Sequence, residues 1–385
     1  MSLRVLQAAL LLALAACGTT EPSPAQSNEP AAPASHRPFT VAEVITFSTP
    51  WAMDFLPGSG VRTTNLALVS EREGKLWLVD VAKGTRQEVG GVPKVKVAGQ
   101  GGLGDVVVHP DFAGNRRVYL SFVEAGPGET SGAAVGYGRL LFTGPAVPGG
   151  PTGVSLQDFK VIWRQEPKVT GDGHFSHRIA FAPDGTMFVS SGDRQKMEPA
   201  QDRTSDLGKI IHMTAEGERL DGRFYTMGHR NVLGLAFAPD GRLWATEMGP
   251  AGGDELNLIV KGRNYGWPEA SYGSHYEDTD IPDNHRGRGF EDPKLWWTPS
   301  ISPGGLLIYT GDLFPDWKGD AIIPALSGQA LIRVDIEGDR ATKAGQWDMG
   351  ARLRAAEQGP NGEIYLLEDG RSPGSGRLLR LEPAR

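Results

Sequence analysis

From residue 39 onward, apolar and polar positions alternate in short runs, and turn residues separate one run from the next. No segment keeps the 3.6-residue period of an amphipathic helix. Short alternating runs bounded by glycine, proline and aspartate are typical of antiparallel strands joined by tight turns. The pattern therefore predicts an all-β chain.

One phrase recurs along the chain. It reads Phe181-Ala-Pro-Asp-Gly, then Phe237-Ala-Pro-Asp-Gly, then Gly359-Pro-Asn-Gly, and an apolar run follows each time. Proline presets φ and glycine accepts a positive φ, so each phrase suits a tight turn between strands.

Looser copies near residues 72, 109 and 314 bring the number to six, at a mean spacing of about 58 residues. Six units of four strands can close into a ring, which removes exposed sheet edges. The repeats predict a six-bladed β-propeller of four-stranded antiparallel blades, formed as one domain by residues 39–385. A β-sandwich or two smaller β domains are the alternatives.

The N-terminal residues look like a targeting segment. Residues 1–17 contain one arginine, an apolar run of about 12 residues and small residues before Cys17, which is the order found in a secretory signal. Their ending resembles the lipobox of bacterial lipoproteins, so Cys17 is the predicted lipidation site. Residues 18–38 are rich in Pro, Ala and Ser and predict a disordered tether. We expect an extracytoplasmic, periplasmic protein held to a bacterial membrane only by its lipid; an ordinary signal peptide with an incidental cysteine is the alternative.

Charge and cysteine content narrow the possible partners. The net charge is -7 and the chain has no basic run, which argues against nucleic acid as a partner. Its single cysteine excludes a disulfide framework. A small neutral or anionic ligand is compatible with this composition.

Four clusters carry polar residues that turn geometry does not require. The first is Gly99–Asp105, where Gln100 offers a donor and an acceptor within a glycine-rich turn. The second is the histidine pair His174 and His177. The third spans residues 228–268, where carboxylates and loop carbonyls supply the oxygen ligands that calcium prefers.

The fourth cluster is Arg352 and Arg354, with Asp369 after the next strand. Alternate residues of a strand share a face, so the two guanidinium groups point the same way. Two adjacent arginines repel each other unless an anion lies between them, and their planar forks match carboxylates. A solvated pair of arginines at a strand edge is the alternative.

Taken together, the clusters resemble the soluble quinoprotein glucose and aldose sugar dehydrogenases, which use pyrroloquinoline quinone (PQQ) and calcium. The matching motifs are GQGGLGDVVVHPDF (99–112), HFSHRIAFAPDGTMFVSSGDR (174–194), GHRNVLGLAFAPDGRLWATEMGPAGGDELNLI (228–259), NYGWP (264–268), PSISPGGLLIYTGDLFPDWKGD (299–320) and RLRAAEQGPNGEIYLLED (352–369). They cover nearly all of the chain after the tether. The family's six-bladed propeller agrees with the repeat count.

The resemblance implies roles for individual residues. His174 would be the general base that takes the proton of the sugar's anomeric hydroxyl while hydride passes to PQQ. The residues implied to bind the cofactor or sugar are Gln100, Arg230, Asn231, Arg352, Arg354 and Asp369. The carbonyls of Gly249 and Pro250 would hold the calcium at the cofactor, and Glu255 and Tyr265 would hold a second, structural calcium.

The chain departs from the family pattern at three positions. Ser327 stands where the glucose dehydrogenases have a cofactor-binding lysine, His177 stands where Gly or Ser is usual, and Gly104 stands where a larger apolar residue is common. These changes predict weaker PQQ binding and broad oxidation of aldoses. With no C-x-x-C-H haem motif, electrons must pass to an external acceptor. A non-catalytic ligand-binding propeller and a calcium-dependent lactonase are the alternative functions.

The two histidines are expected to have separate roles. In an extended strand, His174 and Arg178 would share one side, whereas His177 would join Phe175 and Ile179 on the other. A metal-binding histidine pair is therefore disfavoured. We expect His174 to carry the chemistry and His177 to be a packed or hydrogen-bonded neighbour.

Overall fold

The computed structural model describes residues 37–58, 65–143, 153–277 and 279–384. The predicted signal segment with Cys17, and residues 18–36 of the predicted tether, lie outside these ranges, so both stay predictions. None of the helices within the described ranges is long and apolar enough to cross a membrane.

The described chain forms 26 strands, nearly all of which belong to six four-stranded antiparallel sheets. The chain begins with β1 (Phe39–Phe47). The first blade contains β2 (Pro50–Phe55), β3 (Leu66–Glu71), β4 (Lys75–Asp80) and β5 (Thr85–Glu88). The second contains β6 (Leu103–Val108), β7 (Arg117–Ala125), β8 (Ser131–Thr143) and β9 (Gly153–Arg164). The third contains β10 (Ser176–Phe181), β11 (Met187–Ser191), β12 (Lys209–Met213) and β13 (Thr226–Met227).

The second half of the chain repeats this arrangement with one insertion. The fourth blade contains β14 (Val232–Phe237), β15 (Leu243–Glu247), β17 (Asp254–Ile259) and β19 (Leu295–Trp297), and β16 (Ala251–Gly252) pairs separately with β18 (Gly273–Ser274). The fifth contains β20 (Leu307–Ile308), β21 (Ala321–Pro324), β22 (Ala330–Glu337) and β23 (Arg340–Asp348). The sixth contains β24 (Leu353–Gln358), β25 (Ile364–Glu368) and β26 (Gly376–Pro383), with β1 as its outer strand.

The blades close into a ring around a central tunnel. Strand β2 contacts β6 and β24, β10 contacts β6 and β14, and β20 contacts β14 and β24, so these six inner strands form a continuous circle. Strand β1 completes the last blade by pairing antiparallel with β26, which joins the two ends of the described chain. The predicted six-bladed propeller is confirmed.

Apolar side chains fill the spaces between neighbouring blades. Six of the buried clusters each join adjacent blades; for example, Leu76 of the first blade packs with Leu120 of the second, and Phe47 of the sixth packs with Val69 of the first. Each blade is therefore covered on both faces. This explains why a run such as Leu66-Ala-Leu-Val, in the second strand of the first blade, is almost entirely buried rather than strictly alternating.

The recurring phrase lies mostly at one place in the blade. Five of its six copies join the inner strand to the second strand, as in the turn between β10 and β11 and the turn between β14 and β15. The copy near residue 72 instead joins β3 to β4, the second and third strands of the first blade. Helical structure in the described ranges is limited to α1 (Phe112–Asn115) and three 3₁₀ segments, Glu198–Ala200, Arg286–Arg288 and Pro315–Trp317.

Candidate active site at one end of the central tunnel

A cavity of about 440 Å³ opens where the inner strands begin. This volume suits a small ligand. Five of the residues predicted to bind cofactor or sugar line it, namely Gln100, Asn231, Arg352, Arg354 and Asp369. They come from the loop before β6, the start of β14 and the β24–β25 hairpin, so residues far apart in sequence meet at the ring's axis.

The arginine pair converges on one carboxylate. Arg352 Nε lies 2.9 Å from Asp369 Oδ2, and Arg354 Nη2 lies 2.7 Å from Asp369 Oδ1. Burial opposes ionisation of Asp369, but Arg354 and Arg352 outweigh it and hold its pKa below the usual value. Asp369 is therefore an anion at neutral pH and supplies part of the counter-charge that two parallel guanidinium groups need.

Arginine is in excess around this cavity. Arg72 and Arg371 line it together with Arg352 and Arg354, and Asp369 is the one carboxylate among the described lining residues. Arg371 Nη2 is 3.8 Å from Asp369 Oδ2 and its side chain is 69% exposed. The lining thus has four guanidinium groups and one carboxylate, so the cavity favours an anionic ligand.

His174 lies beside this cavity and pairs with an aspartate. Its backbone N–H donates to Gln100 Oε1 at 2.8 Å, and its ring Nδ1 is 2.7 Å from Asp193 Oδ1. Asp193 also accepts hydrogen bonds from Gln195 N–H and Trp267 Nε1. Ionised aspartate only accepts, so Nδ1 carries the hydrogen and Nε2 is left as the basic nitrogen. His174 is 7% exposed, and burial lowers its pKa below the usual value against the opposing effect of Asp193.

The backbone around the two histidines is not extended. His174, Ser176 and His177 have φ values of 46°, 57° and 53°, and β10 begins only at Ser176 with a register shift before Ile179. The expectation that alternate residues from 174 share a side is therefore wrong, because left-handed residues interrupt the pleat. Gly192 permits this bend, since a Cβ atom there would lie 2.0 Å from the His174 carbonyl oxygen.

His177 lines the cavity from a different environment than His174. Its Nδ1 is 2.6 Å from Ser121 Oγ, and its ring stacks on Trp51 with centroids 5.1 Å apart and planes 7° apart. Burial lowers its pKa to about 3, so the ring is neutral. The two imidazoles have separate partners, and the arrangement is not a shared metal site.

Two of the departures from the family pattern, Gly104 and His177, fit each other in space. A Cβ atom at Gly104 would lie 1.9 Å from Cε1 of His177. Gly104 has no positive φ, so space rather than backbone conformation requires glycine there. The His177 ring occupies the volume that a larger residue at 104 would fill. Ser327, the third departure, donates to Ser302 Oγ at 2.8 Å, and Ser302 lines the cavity.

The amide side chains sit at the cavity wall with donors to spare. Gln100 uses Oε1 to accept from His174, and its own backbone N–H donates to the Asp172 carbonyl at 2.8 Å. Asn231 Oδ1 accepts from Ser176 Oγ at 3.1 Å. Asn231 Nδ2 also donates to Met248 Sδ at 3.9 Å, so Asn231 keeps one side-chain N–H for a ligand and Gln100 keeps two.

A narrow cleft adjoins the cavity on the fourth blade. Arg230, Gly249, Glu255 and Tyr265 line it, whereas Pro250 is buried beside it. Arg230 Nη1 donates to the Met248 carbonyl at 3.1 Å, and its Nε is buried without a hydrogen-bond partner among the described residues. Met248 lines both the cleft and the cavity, so the two spaces are neighbours.

This cleft gathers buried carboxylate and amide oxygen atoms. Glu247 and Glu255 face each other across β15 and β17, and burial together with Glu247 raises the pKa of Glu255 well above its usual value. Asn257 Nδ2 donates to both carboxylates, but its buried Oδ1 has no partner among the described residues.

Loop carbonyls in and beside the same cleft are further oxygen donors. Within the described ranges, no backbone amide donates to the carbonyl of Gly249, Pro250 or Tyr265. The described residues include no group of three or more His, Cys, Asp or Glu side chains that could hold a metal. The donors are carboxylate and carbonyl oxygens, which fit calcium better than zinc.

Sequence reasoning missed two partners of the site. Asp193, which orients His174, lies two residues after the buried strand β11, and a carboxylate at that place was the available signal. Trp267, within the NYGWP motif, holds the other oxygen of Asp193 at 2.8 Å. Nothing in their spacing indicated that they would meet His174.

Comparison with known proteins gives a consistent result. A family model described as Glucose / Sorbosone dehydrogenase matches residues 47–380. The chain is 36% identical over 351 residues to the aldose sugar dehydrogenase YliI of Escherichia coli, which covers 87% of this chain and 90% of the relative.

Two solved structures share the fold over most of both chains. The soluble aldose sugar dehydrogenase of Escherichia coli in its apo-form has a TM-score of 0.82 at 35% identity, over 90% of this chain and 100% of that one. The PQQ-bound aldose sugar dehydrogenase of Streptomyces coelicolor has a TM-score of 0.70 at 30% identity, over 91% of this chain and 99% of that one. With the match to residues 47–380, these likenesses show that the chain belongs to the glucose/sorbosone dehydrogenase family.

Proposed function

We propose that this sugar dehydrogenase is a PQQ- and calcium-dependent enzyme that oxidises the C1 hydroxyl of a broad range of aldoses to lactones. The observation that carries the proposal is the juxtaposition of an arginine-rich cavity with the His174–Asp193 pair. The family and its named relatives support sugar oxidation, and the PQQ-bound relative supports the cofactor.

The cavity's charge suits PQQ. This cofactor is a tricarboxylate, and Arg352 and Arg354 would pair with its carboxylates beside Asp369. When bound, PQQ supplies a quinone that accepts a hydride equivalent, which none of the protein's side chains can do. The protein's own contribution is to hold the anion, orient the sugar and move a proton.

His174 would move that proton. Its Nδ1–H is fixed on Asp193, so Nε2 is the atom that accepts the proton of the sugar's C1 hydroxyl. The hydrogen on C1 leaves as hydride, and the C1–O bond becomes the lactone carbonyl. Because burial lowers the pKa of His174, the ring is unprotonated at neutral pH and ready to act as base.

The remaining predicted residues would orient the reactants. Gln100 would hydrogen-bond the sugar or the cofactor, and Arg230 and Asn231 would contact the reacting quinone oxygens. The carbonyls of Gly249 and Pro250 would hold the calcium at the cofactor, and Glu255 with the Tyr265 carbonyl would hold a structural calcium.

The cellular setting is part of the proposal. We propose an extracytoplasmic enzyme formed by residues 39–385 and anchored through Cys17 and the tether, with electrons passing to an external acceptor. Nucleic acid is not an expected partner, because the net charge is -7.

Reconstitution tests the proposal. Purified apoprotein with PQQ and calcium should reduce an artificial electron-accepting dye in the presence of glucose, xylose or arabinose, and omission of either PQQ or calcium should abolish reduction. No reduction with any aldose, together with PQQ binding, would favour a non-catalytic propeller. Calcium-dependent hydrolysis of a lactone without PQQ would favour a lactonase.

A further inference from the structure

We propose that Arg72 is a further anion-binding residue of the cavity. It would contact a carboxylate of the bound ligand from the side of the first blade. This inference rests on the proposed function, because the carboxylate is assigned to PQQ. None of the predicted cofactor-binding residues comes from the first blade, whereas Arg72 directly follows strand β3 of that blade.

The backbone of Arg72 is held firmly against the neighbouring blade. Its N–H donates to the Thr49 carbonyl at 2.9 Å, and its carbonyl accepts from Leu103 N–H at 3.0 Å. Gly102 makes this approach possible, since a Cβ atom there would lie 2.0 Å from the Arg72 carbonyl oxygen and 2.8 Å from its Cγ. The side chain therefore leaves the backbone at a fixed point beside the cavity.

The guanidinium group is fixed by one neutral contact. Arg72 Nη1 donates to the Gly99 carbonyl at 3.0 Å, in the turn that carries Gln100. One such bond leaves most of the five N–H donors of the fork available. Because Arg72 also lines the cavity, those donors can reach a ligand there.

The charge of Arg72 has no counter-charge within the described protein. No carboxylate of the described residues lies within 4.0 Å of its nitrogens, whereas Arg352, Arg354 and Arg371 all face Asp369. A half-buried cation in an arginine-rich cavity is stabilised when an anion binds. The geometry therefore favours a ligand carboxylate as the missing partner.

The test compares PQQ binding to the calcium-loaded apoprotein of the wild type and two variants. Arg72→Gln removes the charge, and Arg86→Gln is the matched control, because Arg86 belongs to the same blade and donates to the Thr46 carbonyl without lining the cavity. We expect Arg72→Gln to raise the Kd for PQQ about tenfold, close to the lower end of the range for a hydrogen bond to a charged group. Arg86→Gln should leave the Kd unchanged.

The dependence of binding on salt separates a ligand contact from a structural role. Removing a cation that contacts the ligand should make the Kd of Arg72→Gln rise less steeply with salt than that of the wild type. An Arg72→Gln protein with the wild-type Kd and salt dependence would overturn the inference. So would weaker binding with an unchanged salt dependence, because Arg72 would then act only by holding the turn.

Two further results keep the inference separable from the proposed function. If Arg72→Gln fails to fold, Arg72→Lys keeps the charge and the aliphatic stem; it should bind PQQ with the salt dependence of the wild type, and a shallower dependence would overturn the inference. If the wild type binds no PQQ under any condition, the proposed function fails and this inference fails with it. Normal wild-type binding with an indifferent Arg72→Gln removes the inference alone.

Discussion

The central tunnel has two chemically opposite regions. At one end, Arg352 and Arg354 contribute to an arginine-rich cavity. Further along, a space of about 200 Å³ is lined by Asp54, Asp105 and Glu357. Strand β24 supplies a residue to each region: Arg354 lines the first, and Glu357, three positions later, lines the second. The ring of inner strands fixes the architecture, and the residue at each depth decides which charge a ligand must carry.

Arg178 lines the acidic region, and its neighbours His177 and Trp51 line the arginine-rich cavity. Its Nη1 is 3.0 Å from Asp105 Oδ1, its Nε donates to the Leu233 carbonyl, and its Nη2 donates to the Gly304 carbonyl. The guanidinium carbon lies 4.0 Å from the centre of the Trp51 ring. One side chain thus connects five of the six inner strands or the loops that lead into them, on the side of the acidic region that adjoins the cavity.

The largest expected effect concerns the base beside the cavity. His174→Ala should lower kcat for aldose oxidation by about 10²–10⁴-fold, because general-base catalysis contributes on that order. PQQ should still bind, since the arginines are untouched. His212→Ala is the control, as His212 forms a similar pair with Asp221 at 2.5 Å on another part of the third blade. Full turnover in His174→Ala, measured by dye reduction, would remove the base assignment.

The next effect concerns the boundary between the two regions. Arg178→Met should lower the free energy of unfolding by about 3–5 kcal/mol, because it leaves Asp105 buried without its partner. Adding Asp105→Asn to that variant should recover part of the loss, since the unpaired charge is gone. Urea unfolding of both variants measures the difference. Equal stability of the single and double variants would contradict this account of the boundary.

A smaller effect tests how the cavity wall is packed. Gly104→Leu should cost about 1–3 kcal/mol of stability, because the new side chain overlaps the His177 ring. In a His177→Gly background the same change should cost less than about 1 kcal/mol, since glycine accepts the positive φ at 177 and vacates the space. Thermal or urea unfolding of the wild type, the two single variants and the double variant gives the coupling free energy between positions 104 and 177. Additive effects would show that the two positions do not compensate for each other.

The smallest effect is a pH dependence from the acidic region. Burial raises the pKa of Asp54 to about 7, while its hydrogen bond from Val108 N–H opposes the rise. The folded protein therefore binds a proton that the unfolded chain releases, and stability should fall as pH rises from about 4 to about 7.

Asp54→Asn should remove part of that slope and stabilise the protein at pH 8 by about 1–2 kcal/mol, a figure reduced from the full shift because Asp54 is partly exposed. Asn can keep the hydrogen bond from Val108 through its carbonyl oxygen. Urea unfolding at pH 5 and pH 8 measures both proteins. A variant with the wild-type slope would exclude Asp54 as its source.

Local chemistry made the architecture predictable. The recurring turn phrases favour turns through backbone preference, and five of the six copies join inner and second strands. Strand alternation also predicted that Arg352 and Arg354 point the same way, and both reach Asp369. Arg352 nevertheless precedes β24 and the register shifts between Leu353 and Ala355, so regular alternation is not what brings them together. These inferences needed only neighbouring residues.

Non-local contacts limited what could be predicted of the site. His174 and Asp193 are 19 residues apart and flank the paired strands β10 and β11, which bring them together, and His177 meets Ser121 from 56 residues away. The positive φ values at 174, 176 and 177 also defeat an argument from alternation. Gly104 and His177 each looked like a weakness in the motif, and only their contact shows that the two changes belong together.

The most direct test of the central claim is a titration of PQQ into the calcium-loaded apoprotein, followed by absorbance as glucose is added. The account predicts saturable binding of one PQQ per chain, reduction of the bound quinone by glucose, and much weaker binding by an Arg352→Gln/Arg354→Gln variant. Absence of saturable binding to the wild type, or equal binding by the double variant, would contradict the claim that this arginine-rich cavity is the cofactor site.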